Sequence, residues 1–147
     1  MRRDIRAAIL ILFSSLVFSG CGLNSQRNRL PSEVESAINT VADDITQERY
    51  EKVYDESSEL WKQDVSREQS AEILKTLRSR LGKVENRTLH SATEQQNSGG
   101  ALKGNVYIVT YQTKFELGEG METFTLVERN GHWLLARYLV NSTALNQ

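Results

Sequence analysis

The chain has 147 residues, a formal net charge of −1 at pH 7 and 39% hydrophobic residues, enough for one domain with its own core. Acidic and basic residues are intermixed, which argues against nucleic-acid binding because such proteins carry a basic stripe. One cysteine excludes an internal disulfide, and the two histidines, His90 and His132, are too few to predict a zinc site. We therefore expect no metal and no cofactor.

The N-terminus has the three parts of a secretory signal. Residues 1–6, MRRDIR, are basic, residues 7–18, AAILILFSSLVF, are apolar, and small residues follow. A membrane-spanning helix needs about 20 apolar residues, and this run is shorter. The pattern predicts a signal peptide over residues 1–20 that is cleaved rather than a permanent span.

The signal ends at the single cysteine, Cys21, in the stretch VFSGC. This stretch resembles the lipobox of bacterial lipoproteins, in which the cysteine is acylated on sulfur and becomes the new N-terminus. The resemblance implies a lipid anchor at Cys21, which would bind the membrane stably through its acyl chains, and a flexible tether over 21–30. Gly22 stands where lipoproteins retained in the inner membrane carry aspartate. The resemblance thus implies the periplasmic face of the outer membrane in a bacterium with two membranes.

Three segments after the tether have the spacing of amphipathic helices. The first begins at Pro31, the second is a short stripe over 50–54, and the third runs from Ser66 to Gly82. Ser66 and Gln69 form a capping-box signature, and glycine is a typical helix end. The apolar stripes are Val34, Ala37, Ile38, Val41 and Ile45, then Tyr50, Val53 and Tyr54, then Ala71, Ile73, Leu74, Leu77 and Leu81.

The remainder of the chain changes to the alternating pattern of strands. Asn130-Gly131 is a strong hairpin signal, and the polar stretch KVENRTLHSATE predicts a fourth strand before the other three. Two-residue turns at Asn130-Gly131 and Gly118-Glu119 predict these pairs: Leu126 with Leu135, Phe124 with Arg137, Tyr111 with Leu126, and Thr113 with Phe124. The expected common face holds Tyr107, Val109, Tyr111, Phe115, Phe124, Leu126, Trp133, Leu135 and Leu139.

This order predicts one α+β domain over 31–147, with three N-terminal helices on one face of a curved four-stranded antiparallel sheet. It resembles the cone-shaped fold of nuclear-transport-factor-like and ketosteroid-isomerase-like domains. The motifs in LRSRLGKVENR and YIVTYQTKFELGEGMETFTLVERNGHWLLARYLV also resemble the bacterial family called domain of unknown function four thousand and nineteen. The matching positions are Arg78, Leu81, Gly82, Arg87, Glu122, Thr125, Leu126, Gly131, Trp133 and Tyr138. That resemblance supplies no catalytic residue.

Relatives of the cone fold use a carboxylate in an apolar cavity as a proton shuttle. Glu122 and Arg137 share the predicted apolar face and form a candidate charge pair; the alternative is that both lie at the solvated rim, since buried charges are costly. Of Asp43 and Asp44, at most one faces inward. Residues that could line a cavity, or alternatively form core, are Tyr50, Tyr54, Trp61, Tyr107, Tyr111, Glu122, Trp133 and Arg137.

The leading functional hypothesis is a non-enzymatic binding or assembly domain of a lipoprotein in the bacterial cell envelope. Its partners would be the membrane, through the lipid, and an envelope protein or an apolar ligand. The first alternative is a carrier of a lipid or other apolar molecule, which requires a cavity above ~300 Å³. The second is an isomerase- or dehydratase-like enzyme that uses a buried carboxylate near a tyrosine.

Overall fold

The structure, a computed structural model, describes residues 29–146. The predicted signal peptide, Cys21 and most of the tether lie outside the described residues. Four helices precede four strands and a final 3₁₀ turn. Their bounds are α1 Ser32–Thr46, α2 Tyr50–Asp55, α3 Glu59–Asp64, α4 Arg67–Leu81, β1 Val84–Asn97, β2 Gly104–Phe115, β3 Gly118–Arg129, β4 His132–Ser142 and η1 Thr143–Asn146.

The α+β class is confirmed, but the prediction of three helices is wrong. Two helices, α1 and α4, are long, and two, α2 and α3, have six residues each. The additional helix, α3, is too short to show a periodic stripe, and its buried residues Leu60 and Trp61 are adjacent in sequence. Its helical conformation comes from packing rather than from a local pattern.

The ends of α4 follow the local signals. The Ser66 side chain accepts a hydrogen bond from the Gln69 backbone, and the Gln69 side chain accepts one from the Ser66 backbone, so the predicted capping box is formed. Gly82 ends the helix with φ of 76°, a left-handed conformation that glycine adopts without steric cost.

The four strands form an antiparallel sheet in the order β1-β2-β3-β4. The predicted Leu126–Leu135 pair is confirmed. The predicted Gly118-Glu119 turn is wrong, because Phe115 pairs with Gly118 and the two-residue turn lies at 116–117.

Both pairs predicted from that turn are therefore wrong. Tyr111 pairs with Glu122, and Thr113 pairs with Gly120, a register that differs from the expected one by four residues. Because side chains alternate with a period of two, this even shift keeps the residues of β2 and β3 on their predicted faces.

A β-bulge in β4 changes the face of its second half. The register shifts between Thr125 and Leu126, so that Phe124 pairs with Tyr138 instead of the predicted Arg137. One extra residue in a strand reverses its subsequent alternation. Tyr138 consequently packs against the core, and Leu139, expected in the core, is 64% exposed.

The main core lies between the helices and one face of the sheet. Trp61 and Leu74 from the helices pack there with Tyr107, Phe124 and Leu126 from the sheet. A second cluster consists of Leu60, Val106, Val127 and Ala136. Val106 and Val127 adjoin Tyr107 and Leu126 in sequence, so their side chains point to the other face of the sheet. Helix α3 thus contributes to both clusters.

Gly120 allows β3 and β4 to approach closely at the end of β4, where it pairs with Ser142. A Cβ atom at Gly120 would lie 2.6 Å from the Asn141 carbonyl oxygen and 2.9 Å from the Ser142 Cβ, whereas one at Gly99 would meet nothing within 4 Å. We expect Gly120→Ala to lower the free energy of unfolding by about 1–3 kcal/mol, because the strand must move. Urea titration followed by tryptophan fluorescence measures it. Gly99→Ala is the matched control, and equal effects of the two substitutions would contradict the packing described.

Candidate functional site

One buried carboxylate connects all four strands. Glu122 on β3 has no exposed surface. Arg87 on β1 donates from Nε to Glu122 Oε2 at 2.5 Å and from Nη2 to Oε1 at 2.9 Å. The Thr113 hydroxyl on β2 donates to Oε2 at 2.9 Å, and the Tyr138 hydroxyl on β4 donates to Oε1 at 2.6 Å. Each of the other three strands thus supplies a donor to Glu122.

The Glu122 cluster is defined as Arg87, Thr113, Glu122 and Tyr138. Two of its donors, the Arg87 guanidinium and the Tyr138 hydroxyl, have pKa values raised from their usual range. Burial raises the pKa of the Tyr138 hydroxyl well above its usual value, and the charge of Glu122 raises it further. Burial opposes the charge on Arg87, but the hydrogen bond and charge of Glu122 outweigh it and raise the pKa of the guanidinium.

These four hydrogen bonds occupy the acceptor sites of the carboxylate, which number about four. A general base needs a free lone pair directed at its substrate. The geometry of the Glu122 cluster therefore suits a structural ion pair better than a proton shuttle.

The predicted charge pair of Glu122 with Arg137 is wrong. Arg137 is exposed, because the bulge in β4 directs Tyr138 inward instead. The cation is Arg87, which lies on the most polar strand and has a side chain 21% exposed. In the sequence, the only signal for Arg87 and Tyr138 is that they occupy matching positions of the family motif.

Beside the Glu122 cluster lies a small pocket of about 20 Å³, close to the volume of one water molecule. Arg78, Gly82, Arg87 and Tyr138 contribute to its lining. The Nε atom of Arg78 is buried and has no hydrogen-bond partner among the described residues. The pocket is too small to admit a substrate.

A second buried carboxylate, Asp44, lies in the helical layer on α1. It is 1% exposed and forms ion pairs with Arg49 and with Lys52. Asp43 is exposed, in agreement with the expectation that at most one of the two faces inward. Within residues 29–146, no group of three or more His, Cys, Asp or Glu side chains could hold a metal ion.

A larger concave surface lies between α1 and the start of β4. This α1–β4 groove has a volume of about 670 Å³, and its apolar lining comprises Ala37, Val41, Trp133, Leu134 and Leu135. Polar lining residues include Glu33, Glu56 and His132. Trp133 is half-buried and stacks edge-on against Tyr107, with ring centroids 5.3 Å apart.

The aromatic residues expected to line a cavity are divided between core and surface. Tyr50, Trp61 and Tyr107 are buried in the main core, and Tyr54 and Tyr111 pack partly against it. Trp133 also contacts the core but lines the α1–β4 groove. The structure therefore does not bring the eight predicted residues into one cavity.

The structural role of the Glu122 cluster can be tested by Glu122→Gln. The amide carries no charge, so Arg87 loses its counterion in a largely buried position, and we expect a loss of about 3–5 kcal/mol in the free energy of unfolding. Chemical denaturation measures it. Glu85→Gln is the control, because Glu85 pairs with Lys114 at 2.7 Å on the exposed surface, where a pair contributes about 1 kcal/mol or less. An unchanged denaturation midpoint for Glu122→Gln would refute the structural role.

A known protein family matches most of the described domain. No curated protein matches this sequence. The family described as "Protein of unknown function (DUF4019)" matches residues 37–138, a range that includes Arg87, Glu122, Trp133 and Tyr138. The match covers more than half of the chain, and the chain therefore belongs to the DUF4019 family.

Proposed function

We propose that this protein is a non-enzymatic binding or assembly module held at a membrane surface by a lipid on Cys21. The observation that carries the proposal is the α1–β4 groove, with its volume of about 670 Å³ and its lining of Ala37, Val41, Trp133, Leu134 and Leu135. Contiguous apolar surface of this kind is typical of sites that bind a partner. In this proposal, the domain binds its partner in the groove.

The chemistry of the buried carboxylate favours binding over catalysis. Glu122 does lie within hydrogen-bond reach of a tyrosine, as an isomerase-like enzyme would require. Its oxygens are occupied by the donors of the cluster, and the adjoining pocket holds about 20 Å³. A substrate has neither space beside Glu122 nor a free lone pair to meet.

The groove also supports a partner better than an enclosed apolar cargo. A carrier would surround its ligand with the aromatic residues of the cone, but Tyr50, Trp61 and Tyr107 are packed in the core. The resemblance to cone-shaped domains remains part of the proposal, supported by the helices that cover one face of the sheet. In this version of the fold, side chains fill the interior.

The anchor is proposed from the sequence VFSGC, which ends at Cys21. Among residues 29–146, no helix combines the length and apolar character required to cross a bilayer. Attachment through a thioether-linked diacylglyceryl group would place the domain at the membrane surface, because only a short tether separates Cys21 from α1. In a cell with two membranes, Gly22 favours the periplasmic face of the outer membrane.

The anchor is tested by Cys21→Ala. We expect this variant to incorporate no labelled palmitate and to keep its signal peptide, since the sulfur that accepts the lipid is absent. Metabolic labelling and the mass of the purified protein measure both effects. Ser25→Ala, beyond the lipobox-like stretch, is the control and should be labelled normally. Palmitate on the Cys21→Ala protein would contradict the assignment.

The groove is tested by site-specific photocrosslinking in the cells that make the protein. A benzophenone side chain at Thr40, which lines the groove, should join to a defined peptide that mass spectrometry identifies. The same group at Asn39 is the control, since Asn39 is an exposed neighbour on α1 outside the groove lining. Identical products from both positions, or none from Thr40, would contradict binding in the groove.

A further inference from the structure

We propose that the α1–β4 groove binds an extended peptide segment, which adds to β4 as a fifth strand beside Trp133. The segment carries alternating apolar side chains and a lysine or arginine that meets the acidic rim. This inference rests on the proposed function and specifies the chemical class of the partner.

The position of Trp133 in β4 provides the first argument. β4 is an edge strand, since it pairs only with β3 in the described sheet. Asn130 and Gly131 have φ of 52° and 78°, as a type I′ turn requires, and Arg129 pairs with His132 across that turn. The two residues that flank such a turn, here Arg129 and His132, exchange backbone hydrogen bonds. The next pair, Glu128 and Trp133, does not. The N–H and C=O of Trp133 therefore point away from β3.

The chain itself uses this outer edge two residues further along β4. The backbone N–H of Ser58 donates to the carbonyl oxygen of Leu135 at 2.9 Å, and Leu135 has the same alternation as Trp133. This bond confirms the outward direction of these backbone groups. Outside the sheet ladder, no backbone group among residues 29–146 bonds to Trp133. An added strand would continue the edge pairing that Ser58 begins.

The polar backbone distinguishes a peptide from a hydrocarbon ligand. An acyl chain in the groove would cover the N–H and C=O of Trp133 without hydrogen bonding to them, which is costly. An extended peptide satisfies both groups and still places alternate side chains against the apolar lining at Ala37, Val41 and Trp133. The groove therefore favours a peptide over a fatty ligand.

The charge of the rim specifies the polar positions of the segment. Glu33 and Glu56 line the groove, together with His132, and the lining includes no lysine or arginine. Glu56 also contacts Lys52 at 3.5 Å, but both side chains are largely exposed, so that pair is weak. A basic side chain of the partner gains attraction from Glu33 and Glu56, whereas an acidic one is repelled.

The test selects ligands from a library of random ten-residue peptides displayed on phage, using the full chain in detergent as the target. We expect enriched peptides to alternate apolar residues with polar ones that include lysine or arginine. A synthetic peptide of the consensus should bind about tenfold less tightly when the one amide that faces Trp133 is N-methylated, because one hydrogen bond is lost. Methylation of the next amide along, which faces away, is the control. Isothermal titration measures the affinities.

Two substitutions test the rim. The double variant Glu33→Gln and Glu56→Gln should bind the peptide several-fold less tightly. The affinity should also depend less on salt concentration, because the attraction is electrostatic. Glu85→Gln, remote from the groove, should leave the affinity unchanged. No enrichment, a consensus with helical spacing, or an acidic consensus would overturn the inference.

Further outcomes assign the groove to another occupant and overturn strand addition. If a fatty acid displaces the peptide at the concentration at which the fatty acid itself binds, the groove is a lipid site. An affinity that rises tenfold when residues 22–28 are replaced by glycine and serine indicates that the tether of this chain fills the groove. If Thr40 still gives its crosslinked partner but both N-methylated peptides bind equally, the proposed function stands and only strand addition fails.

Discussion

The buried ion pair between Glu122 and Arg87 is the constraint on which the rest of the structure depends. A carboxylate with no exposed surface is unfavourable unless it is paired and hydrogen-bonded. Its donors come from β1, β2 and β4, so its stability requires all four strands in register. One side chain thereby specifies the relative positions of strands that are distant in sequence.

The same sheet leaves β4 at its edge, and the proposed peptide would bind there. Natural proteins usually protect an exposed edge strand by covering it or by adding charge. Here the α2–α3 link covers Leu135 through Ser58, whereas Trp133 borders the α1–β4 groove. A lipid at Cys21 would present this edge close to the membrane surface.

Features set by local chemistry could be predicted from the sequence. The capping box of Ser66 and Gln69, the end of α4 at Gly82, and the hairpin at Asn130-Gly131 each depend on adjacent residues, and each is present. The core face of β2 and β3 was also predicted, because the error in register was an even number of residues.

Features that depend on tertiary packing could not be predicted. The bulge in β4 has no sequence signal of its own, since Ala136 is buried here but small enough for either face. It determines that Tyr138, and not Arg137, reaches Glu122. Arg87 could not be assigned as the counterion because β1 lies far from Glu122 in sequence. The groove arises only when α1 is packed beside β4.

The most direct test of the central claim is a double-mutant cycle between Arg87 and Glu122, with each changed to leucine singly and together. We expect each single variant to be strongly destabilised and the double variant to recover much of the loss, with a coupling energy of about 2–3 kcal/mol in the free energy of unfolding. Additive effects, within about 0.5 kcal/mol, would show instead that the two side chains do not stabilise the sheet as a pair.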